Sequence, residues 1–418
     1  MDYVTHYKCT LCQRSYEAPV DFYTCPSCGE TGILDVLYDL DKLKLDLSRD
    51  TLAARGDFSM WRYAPLLPVK ETHMKDTLRV GWTPLYASKR LKDTMNLKRF
   101  HIKDEGMNPT GSLKDRASAV AVLKALEVGN TTIACSSTGN AASSLAGNAA
   151  RLGVKTVIFV PSRAPKGKLS QLIAFGARVV RVEGDYKAAY NLSKAAIGHF
   201  GWYNRNAAIN AHMVEGKKTV AFEIVEQLDF HPPDWVVVSV GDGCTIAGVH
   251  KGFKELEALG LTKKTPRLLG VQSVGCAPFF EAAKEGRGLR ETNGDTIADS
   301  IAVGIPRNPV KALRAVKETS GEWVTVTDEA ILEAVRTLGK EEGVFAEPAA
   351  AASLAGLEKA LREGIIGKDE HVVLVSTGNG LKDTLSMKAS LGRIKNFQGG
   401  LEELIEYFDK DHHKGGTK

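Results

Sequence analysis

The stretch "GMNPTGSLKDRAS" (residues 106–118) decides how the rest of the chain is read. Four residues separate Gly106 from Gly111, the glycine spacing of a nucleotide P-loop. A P-loop puts lysine directly after the second glycine; here Ser112 follows and the lysine comes later, at Lys114. Asn108, Pro109, Thr110, Gly111 and Ser112 form a turn signal, and the chain from Leu113 onward reads as a helix. Lys114 therefore falls in a first helical turn, where the helix dipole favours acidic side chains. A cation placed against that rule marks a functional position. Desolvated beside other cations, such a lysine has a lowered pKa and acts as a nucleophile. The plain alternative is a solvated surface lysine.

Short apolar runs flank this stretch: "TTIACSS", "KTVIFVP", "ARVVRVEG", "DWVVVSVGDG", "RLLGVQSV" and "HVVLVSTGNG". Between several of them lie Ala/Leu-rich segments with helical spacing. Continuous β-branched strands alternating with helices predict parallel sheets covered on both faces. The expected fold class is α/β: two parallel-sheet domains preceded by a small zinc ribbon.

In open parallel sheets, ligands bind beyond the carboxyl ends of strands. After "TTIAC" comes "SSTGNAASS": Ser137, Thr138, Gly139 and Asn140 offer hydroxyls, backbone N–H groups and a carboxamide at a helix start, suited to a carboxylate. After "DWVVVSV" come Gly241, Asp242, Gly243, Cys244 and Thr245, a cradle for one phosphate group. Ile246 stands where a third glycine would complete a dinucleotide fingerprint, so a dinucleotide is not indicated. After "HVVLV" comes "STGNGLKD", with Thr377. An imine-forming lysine, a phosphate loop, a carboxamide and a hydroxyl for a ring nitrogen together describe a site for pyridoxal 5'-phosphate.

At the other end of the protein, Cys9 and Cys12 form one C-x-x-C pair and Cys25 and Cys28 another, with twelve residues between. Two such knuckles supply four thiolates to one tetrahedral Zn²⁺, and four cysteines close its coordination shell, so the ion is structural. Free thiols or a redox pair are the alternative. Seven cysteines, four of them clustered, point to a reducing compartment, taken here as the cytoplasm. Cys135 and Cys276 are expected in the core. With 55 basic and 50 acidic residues among 418, and no dense basic run, nucleic acid is not an expected partner. No run of 18 apolar residues exists, so no membrane span is expected. The polar "DKDHHKGGTK" tail reads as disordered.

At these motifs the chain resembles the threonine synthases, fold-type II pyridoxal-phosphate enzymes of the tryptophan synthase β-like family. The likeness runs through "GWTPLY", "KDEGMNPTGSLKDRAS", "SSTGNAASS", "GARVVRVEG", "EGKKT", "GDGCTIAG", "EPAAAASLAGL" and "STGNGLKD". It implies that Lys114 holds the cofactor as an imine and, once freed, shuttles protons. It implies that Asn140 meets the 3′ oxygen, that residues 241–245 hold the phosphate, and that Thr377 meets the pyridine nitrogen. Ser137, Thr138 and Gly139 would bind the substrate carboxylate. The implied reaction is γ-elimination of phosphate from O-phosphohomoserine followed by water addition. Lys103, Asn108 and Lys217 are the candidates for the pocket that takes the departing phosphate.

One departure stands out. The family commonly carries Asn-Pro-x-Arg before the "EGxKT" stretch, with the arginine on the substrate phosphate. Here Asn210 is followed by Ala211, and Met213 occupies the arginine position. A thioether cannot replace a bidentate phosphate clamp, so Arg205 or His212 would have to compensate. The alternative is another fold-type II enzyme, a threonine or serine ammonia-lyase or a β-replacement synthase. A third reading is a zinc-ribbon protein with an inert α/β body. The expected layout is a ribbon over residues 1–40, a large domain over 41–127 and 206–405, a smaller movable domain over 128–205 and a disordered tail over 406–418. A homodimer is expected by family analogy.

Overall fold

The computed structural model describes residues 3–164, 166–206, 208–388 and 396–414. The N-terminal module is an antiparallel sheet of β1 (Val4–Cys9), β2 (Ser15–Glu17) and β3 (Leu34–Tyr38), in the order β2-β1-β3. Its apolar centre consists of Tyr7, Cys9, Cys25, Leu34 and Val36, and Ala211 from the body completes it. So small a sheet cannot enclose a core alone, which is why it docks.

Next come β4 (Leu85–Ala87) and β5 (Arg99–Asp104), then β6 (Thr132–Ser136), β7 (Lys155–Pro161), β8 (Arg178–Val182) and β9 (Tyr203–Asn204). The series ends with β10 (Trp235–Ser239), β11 (Arg267–Ser273), β12 (Glu322–Val326) and β13 (His371–Ser376). The large sheet runs β12-β11-β10-β13-β5-β4, parallel throughout except for β4. Leu269, Val237, Leu374 and Ile102 stand in register across four strands and are fully buried. Their neighbours Leu268, Val236, Val238, Val373 and Val375 fill the opposite face. Both faces are dry, which explains why these strands read as unbroken apolar runs. The second sheet, β8-β7-β6-β9, is wholly parallel.

Two helices join the sheets, Lys114–Glu127 and His212–Gln227, and a third, Cys244–Ala258, packs against the second of them. Gly216 lets the first two touch: a Cβ there would lie 2.2 Å from the Arg116 carbonyl oxygen. In the seam between them sits a closed ion network. Arg116 donates to Glu105 and Glu223, with shortest contacts of 2.6 Å, and to Thr219 Oγ1 at 2.8 Å. Lys103 donates to Glu223 at 2.7 Å and Gln227 at 2.8 Å.

The tail differs from its expected disorder. Leu401–Lys414 is a helix. Leu401, Leu404, Ile405 and Phe408 recur at helical spacing, with Glu402 and Glu403 in the first turn, where the dipole favours them. Residues 415–418 lie outside the described residues. No described helix is long and apolar enough to cross a membrane.

Candidate functional site

The loop that follows β5 is tied from both sides. Asp115 accepts from Thr110 N at 2.8 Å, from Thr110 Oγ1 at 2.9 Å and from Asn148 Nδ2 at 2.7 Å. Gly111 has φ +84°, and a Cβ there would press on Lys382 Cδ at 3.2 Å, so the tight turn needs glycine. Across the cleft, Asn379 N donates to Gly111 O and Leu113 N donates to Thr377 O, both at 2.9 Å. This pairing sets Lys114, the first residue of its helix, beside the loop that follows β13. Lys114 is half-buried. Burial lowers its pKa and the Arg205 charge lowers it further, against the opposing pull of Glu347, Cys244 and Asp242. A neutral amine is the reactive form of a nucleophilic lysine.

At the end of β6, Ser137, Thr138 and Gly139 line the cleft half-buried, and the helix Asn140–Arg151 starts with no side-chain cap. Asn140 Nδ2 donates to both carboxylate oxygens of Glu347, at 2.9 and 3.0 Å, and to Ser300 Oγ at 3.3 Å. Burial raises the Glu347 carboxyl pKa, with Asn140 and Lys114 acting against it. A cavity of about 200 Å³ opens here, lined by Thr138, Gly139, Asn140, Ser300, Glu347 and Lys382. At the end of β10, Gly241, Gly243 and Cys244 are buried, and the Cys244–Ala258 helix also begins without a side-chain cap. Asp242, an odd residue for a phosphate loop, has its Oδ1 engaged by Arg307 N at 3.2 Å.

Two sequence expectations need correction. Lys103 does not reach the cleft: it is fully buried, and Glu223, Gln227 and the Thr83 carbonyl take its ammonium. Asn108 is equally committed, donating to Glu105 Oε2 at 2.9 Å and accepting from Gly81 N at 2.9 Å. Lys217 does sit close to Lys114. Burial lowers its pKa to about 8; Cys244 and Asp242 oppose that shift, while Lys114 and Arg205 add to it. Met213 points into the apolar core around Ala117, Cys135 and Tyr203 and is fully buried. His212 is held between Tyr7 Oη at 2.8 Å and Tyr203 Oη at 3.1 Å. Burial, with Lys124 nearby, lowers its pKa to about 3, so it is neutral and supplies no charge for an anion. Cys135 and Cys276 are buried as expected.

Sequence reading assigned no role to Glu347, Ser300 or Lys382. Glu347 and Lys382 were in view, as charges in "EPAAAA" and "STGNGLKD"; Ser300 carried no signal. Lys382 Nζ bonds Ser143 Oγ at 2.8 Å and the Thr110 carbonyl at 3.1 Å, bridging the cleft.

In the N-terminal sheet the four sulfurs of Cys9, Cys12, Cys25 and Cys28 lie within 4.8 Å of one another. Gly32 closes over them: a Cβ there would lie 2.7 Å from the Cβ atoms of Cys25 and Cys28. Tyr16 Oη is 3.0 Å from Cys25 Sγ. A larger cavity, about 390 Å³, lies between this sheet and the body, beside Asp35, Tyr38, Lys251 and Lys311. Its Lys251 and Lys311 are paired with Asp35, and Lys251 also with Glu215, and nothing there suggests chemistry.

Residues 77–378 match the family model described as pyridoxal-phosphate dependent enzyme. The chain is 41% identical to the threonine synthase of Methanosarcina acetivorans, over 90% of this chain and 92% of that one. It is 40% identical to the threonine synthase of Methanocaldococcus jannaschii, over 93% and 96%. Among solved structures, diaminopropionate ammonia lyase from Escherichia coli aligns with a TM-score of 0.66 at 19% identity, over 80% of this chain and 93% of that one. Processed threonine deaminase isoform 2 from Solanum lycopersicum aligns at 0.64 and 23%, over 76% and 88%. At those identities the structural matches speak for the fold alone.

Proposed function

Because this chain belongs to the threonine synthase family of pyridoxal-phosphate-dependent enzymes, we propose that it converts O-phosphohomoserine and water to threonine and phosphate at the Lys114 cleft. It is a lyase: the Cγ–O bond of the substrate breaks, phosphate leaves, and water then adds at Cβ. The observation that carries the assignment is Lys114, a lysine of lowered pKa at the start of a helix whose leading loop is zipped to Thr377.

The residues present suit the cofactor. The first turn of the Cys244–Ala258 helix has no side-chain cap, so its N–H groups are available to a phosphate. Gly241, Asp242, Gly243, Cys244 and Thr245 would hold that phosphate, Asn140 the 3′ oxygen and Thr377 the ring nitrogen, with Lys114 as the covalent anchor. When bound, pyridoxal phosphate supplies an electron sink for charge developing on substrate carbon. Lys114 in its neutral form accepts a proton from carbon and returns it. Ser137, Thr138 and Gly139, at an uncapped helix start, orient the substrate carboxylate. We take the unit built on the β6–β9 sheet as the part that closes on substrate and excludes water.

Incubation with O-phosphohomoserine should yield threonine and inorganic phosphate in equal amounts. Release of a keto acid and ammonia from threonine or serine, with the phosphoester untouched, would move the protein to the ammonia-lyase reading.

We further propose that Cys9, Cys12, Cys25 and Cys28 hold one structural zinc, that the protein works as a homodimer, and that it resides in the cytoplasm. Structural zinc contributes about 10–16 kcal/mol of apparent binding free energy at neutral pH, so the ribbon should not hold its form without it. Metal analysis should find one zinc per chain, and none in a Cys9→Ser/Cys12→Ser variant. In that variant the amides of β1 and β3 should exchange at least about tenfold faster. Unchanged protection without metal would rule the site out.

A further inference from the structure

Eight lysine and arginine side chains are buried among the described residues: Arg62, Lys103, Arg116, Lys124, Arg205, Lys217, Lys218 and Lys311. Six are neutralised: Arg62 by Glu226, Lys103 by Glu223, Arg116 by Glu105 and Glu223, Lys124 by Glu127, Lys218 by Glu215 and Glu255, and Lys311 by Asp35. The two exceptions are Arg205, 1% exposed, and Lys217, 2% exposed, which make no ion pair among the described residues. An unpaired buried charge is costly and is retained where a counter-charge arrives from outside.

These two cations are neighbours. Arg205 Nε and Nη2 both donate to Ser118 Oγ at 3.1 Å. Ser118 lies four residues beyond Lys114 on the same helix, hence on the same face and about 5–6 Å along it. The guanidinium is therefore held one turn from the Lys114 side chain, and its Nη1 has no hydrogen-bond partner among the described residues. Lys217 approaches from the His212–Gln227 helix and packs over Gly248, where an added Cβ would lie 3.0 Å from Lys217 Cβ. Gly248 is four residues past Cys244, so Lys217 covers the face that leads to the uncapped end of the Cys244–Ala258 helix. Burial lowers the pKa of both Lys114 and Lys217, and the Arg205 charge lowers each further, which places the three cations close enough to feel one another.

We propose that Arg205 and Lys217 form a phosphate-dianion site beside Lys114, supplying the positive charge that Met213 cannot. A guanidinium fork matches two phosphate oxygens, an ammonium adds a second charge, and two cations balance a dianion. The position of this clamp differs from the family pattern: it moves from residue 213, which is core here, to residue 205 at the end of β9. The site rests on the proposed function, which brings two phosphates to this cleft, one on the cofactor and one on the substrate.

The test uses holoenzyme, inorganic phosphate as probe, and the variants Arg205→Met, Arg205→Lys, Lys217→Met and Lys217→Gln. Phosphate should raise the melting temperature of wild-type holoenzyme and compete with O-phosphohomoserine. In Arg205→Met the phosphate concentration needed for both effects should rise roughly 10- to 100-fold, the factor for losing a charge-assisted contact. Arg205→Lys should recover part of it. KM for the phosphoester should rise more than kcat falls. If the cofactor's phosphate occupies the site instead, the same factor appears in the dissociation constant of pyridoxal phosphate, read from its visible absorption, and competition by free phosphate is unchanged. Either pattern supports a dianion site and identifies its occupant. Without phosphate the Arg205→Met, Lys217→Met and Lys217→Gln variants should be no less stable than wild type, because each removes an uncompensated buried charge. Unchanged phosphate protection, KM and cofactor affinity in both the Arg205 and the Lys217 variants would overturn the proposal. Failure of the protein to turn over O-phosphohomoserine would remove the proposed reaction but leave the phosphate melting shift as an independent readout.

Discussion

Replacing Lys114 with alanine is expected to lower threonine formation from O-phosphohomoserine by about 1,000-fold or more. Loss of a positioned proton-transfer group alone removes 100- to 10,000-fold, roughly. This residue is also the proposed covalent anchor, so its removal should abolish the visible absorption of the lysine-bound cofactor. The effect should be local. Leu113 N and Gly111 O make the contacts to the Thr377 loop, and both are backbone groups that alanine at 114 leaves in place. Thermal stability should therefore change little while turnover collapses. Lys114→Arg should not rescue: the charge is kept, but arginine stays protonated and offers no neutral amine. Turnover within tenfold of wild type in the alanine variant, with its absorption band intact, would refute the assignment.

Arg116→Met should be as damaging to stability as Lys114→Ala is to chemistry. Arg116 is fully buried, as are Glu105 and Glu223, which it joins. Lys103 still neutralises Glu223 in the variant, but Glu105 loses its only ionic partner among the described residues. Breaking a buried pair by removing one member costs about 3–5 kcal/mol. The loss should appear as a lower urea midpoint with an unchanged slope. A second change, Glu105→Gln, removes the stranded charge and should restore part of the stability. A variant that unfolds at the wild-type urea concentration would show that the network is not a stabilising element.

The contrast between these two residues shows what was legible in the sequence. Strands such as "DWVVVSV" and "HVVLV" declare themselves, because burial on both faces leaves a nearly continuous apolar run dominated by valine. β5, "RFHIKD", does not. Its Lys103 and Asp104 are charges inside a sheet, and the carboxylate that makes Lys103 tolerable is 120 positions away, on the His212–Gln227 helix. Nothing local separates a lysine awaiting a substrate from one already paired, so Lys103 read as a ligand. Arg205 shows the same ambiguity reversed: in the sequence it is one of two residues that could compensate for Met213, and its burial without an ion pair among the described residues exists only in the fold. The β6, β10 and β13 ends were readable because glycines and hydroxyls at strand ends carry the signal in place. Glu347 was visible as a residue, but its contact with Asn140, 207 positions away, exists only in the fold. The tail helix was missed because its polar composition outweighed a helical spacing that was also present.

The strand order has a consequence for how the protein is made. β13, the last strand among the described residues, lies between β10 and β5, in the interior of the large sheet. Until residue 376 leaves the ribosome, β5 and β10 each present an open hydrogen-bonding edge. Translation at about 5–20 residues per second prolongs that exposure. From residue 239 to residue 376 the nascent chain therefore carries two unpaired parallel edges, and the strand that joins them brings Thr377 with it. Completing the sheet and completing the cleft are a single late event, so a ribosome that stalls before residue 371 leaves a sheet split in two and no site at all.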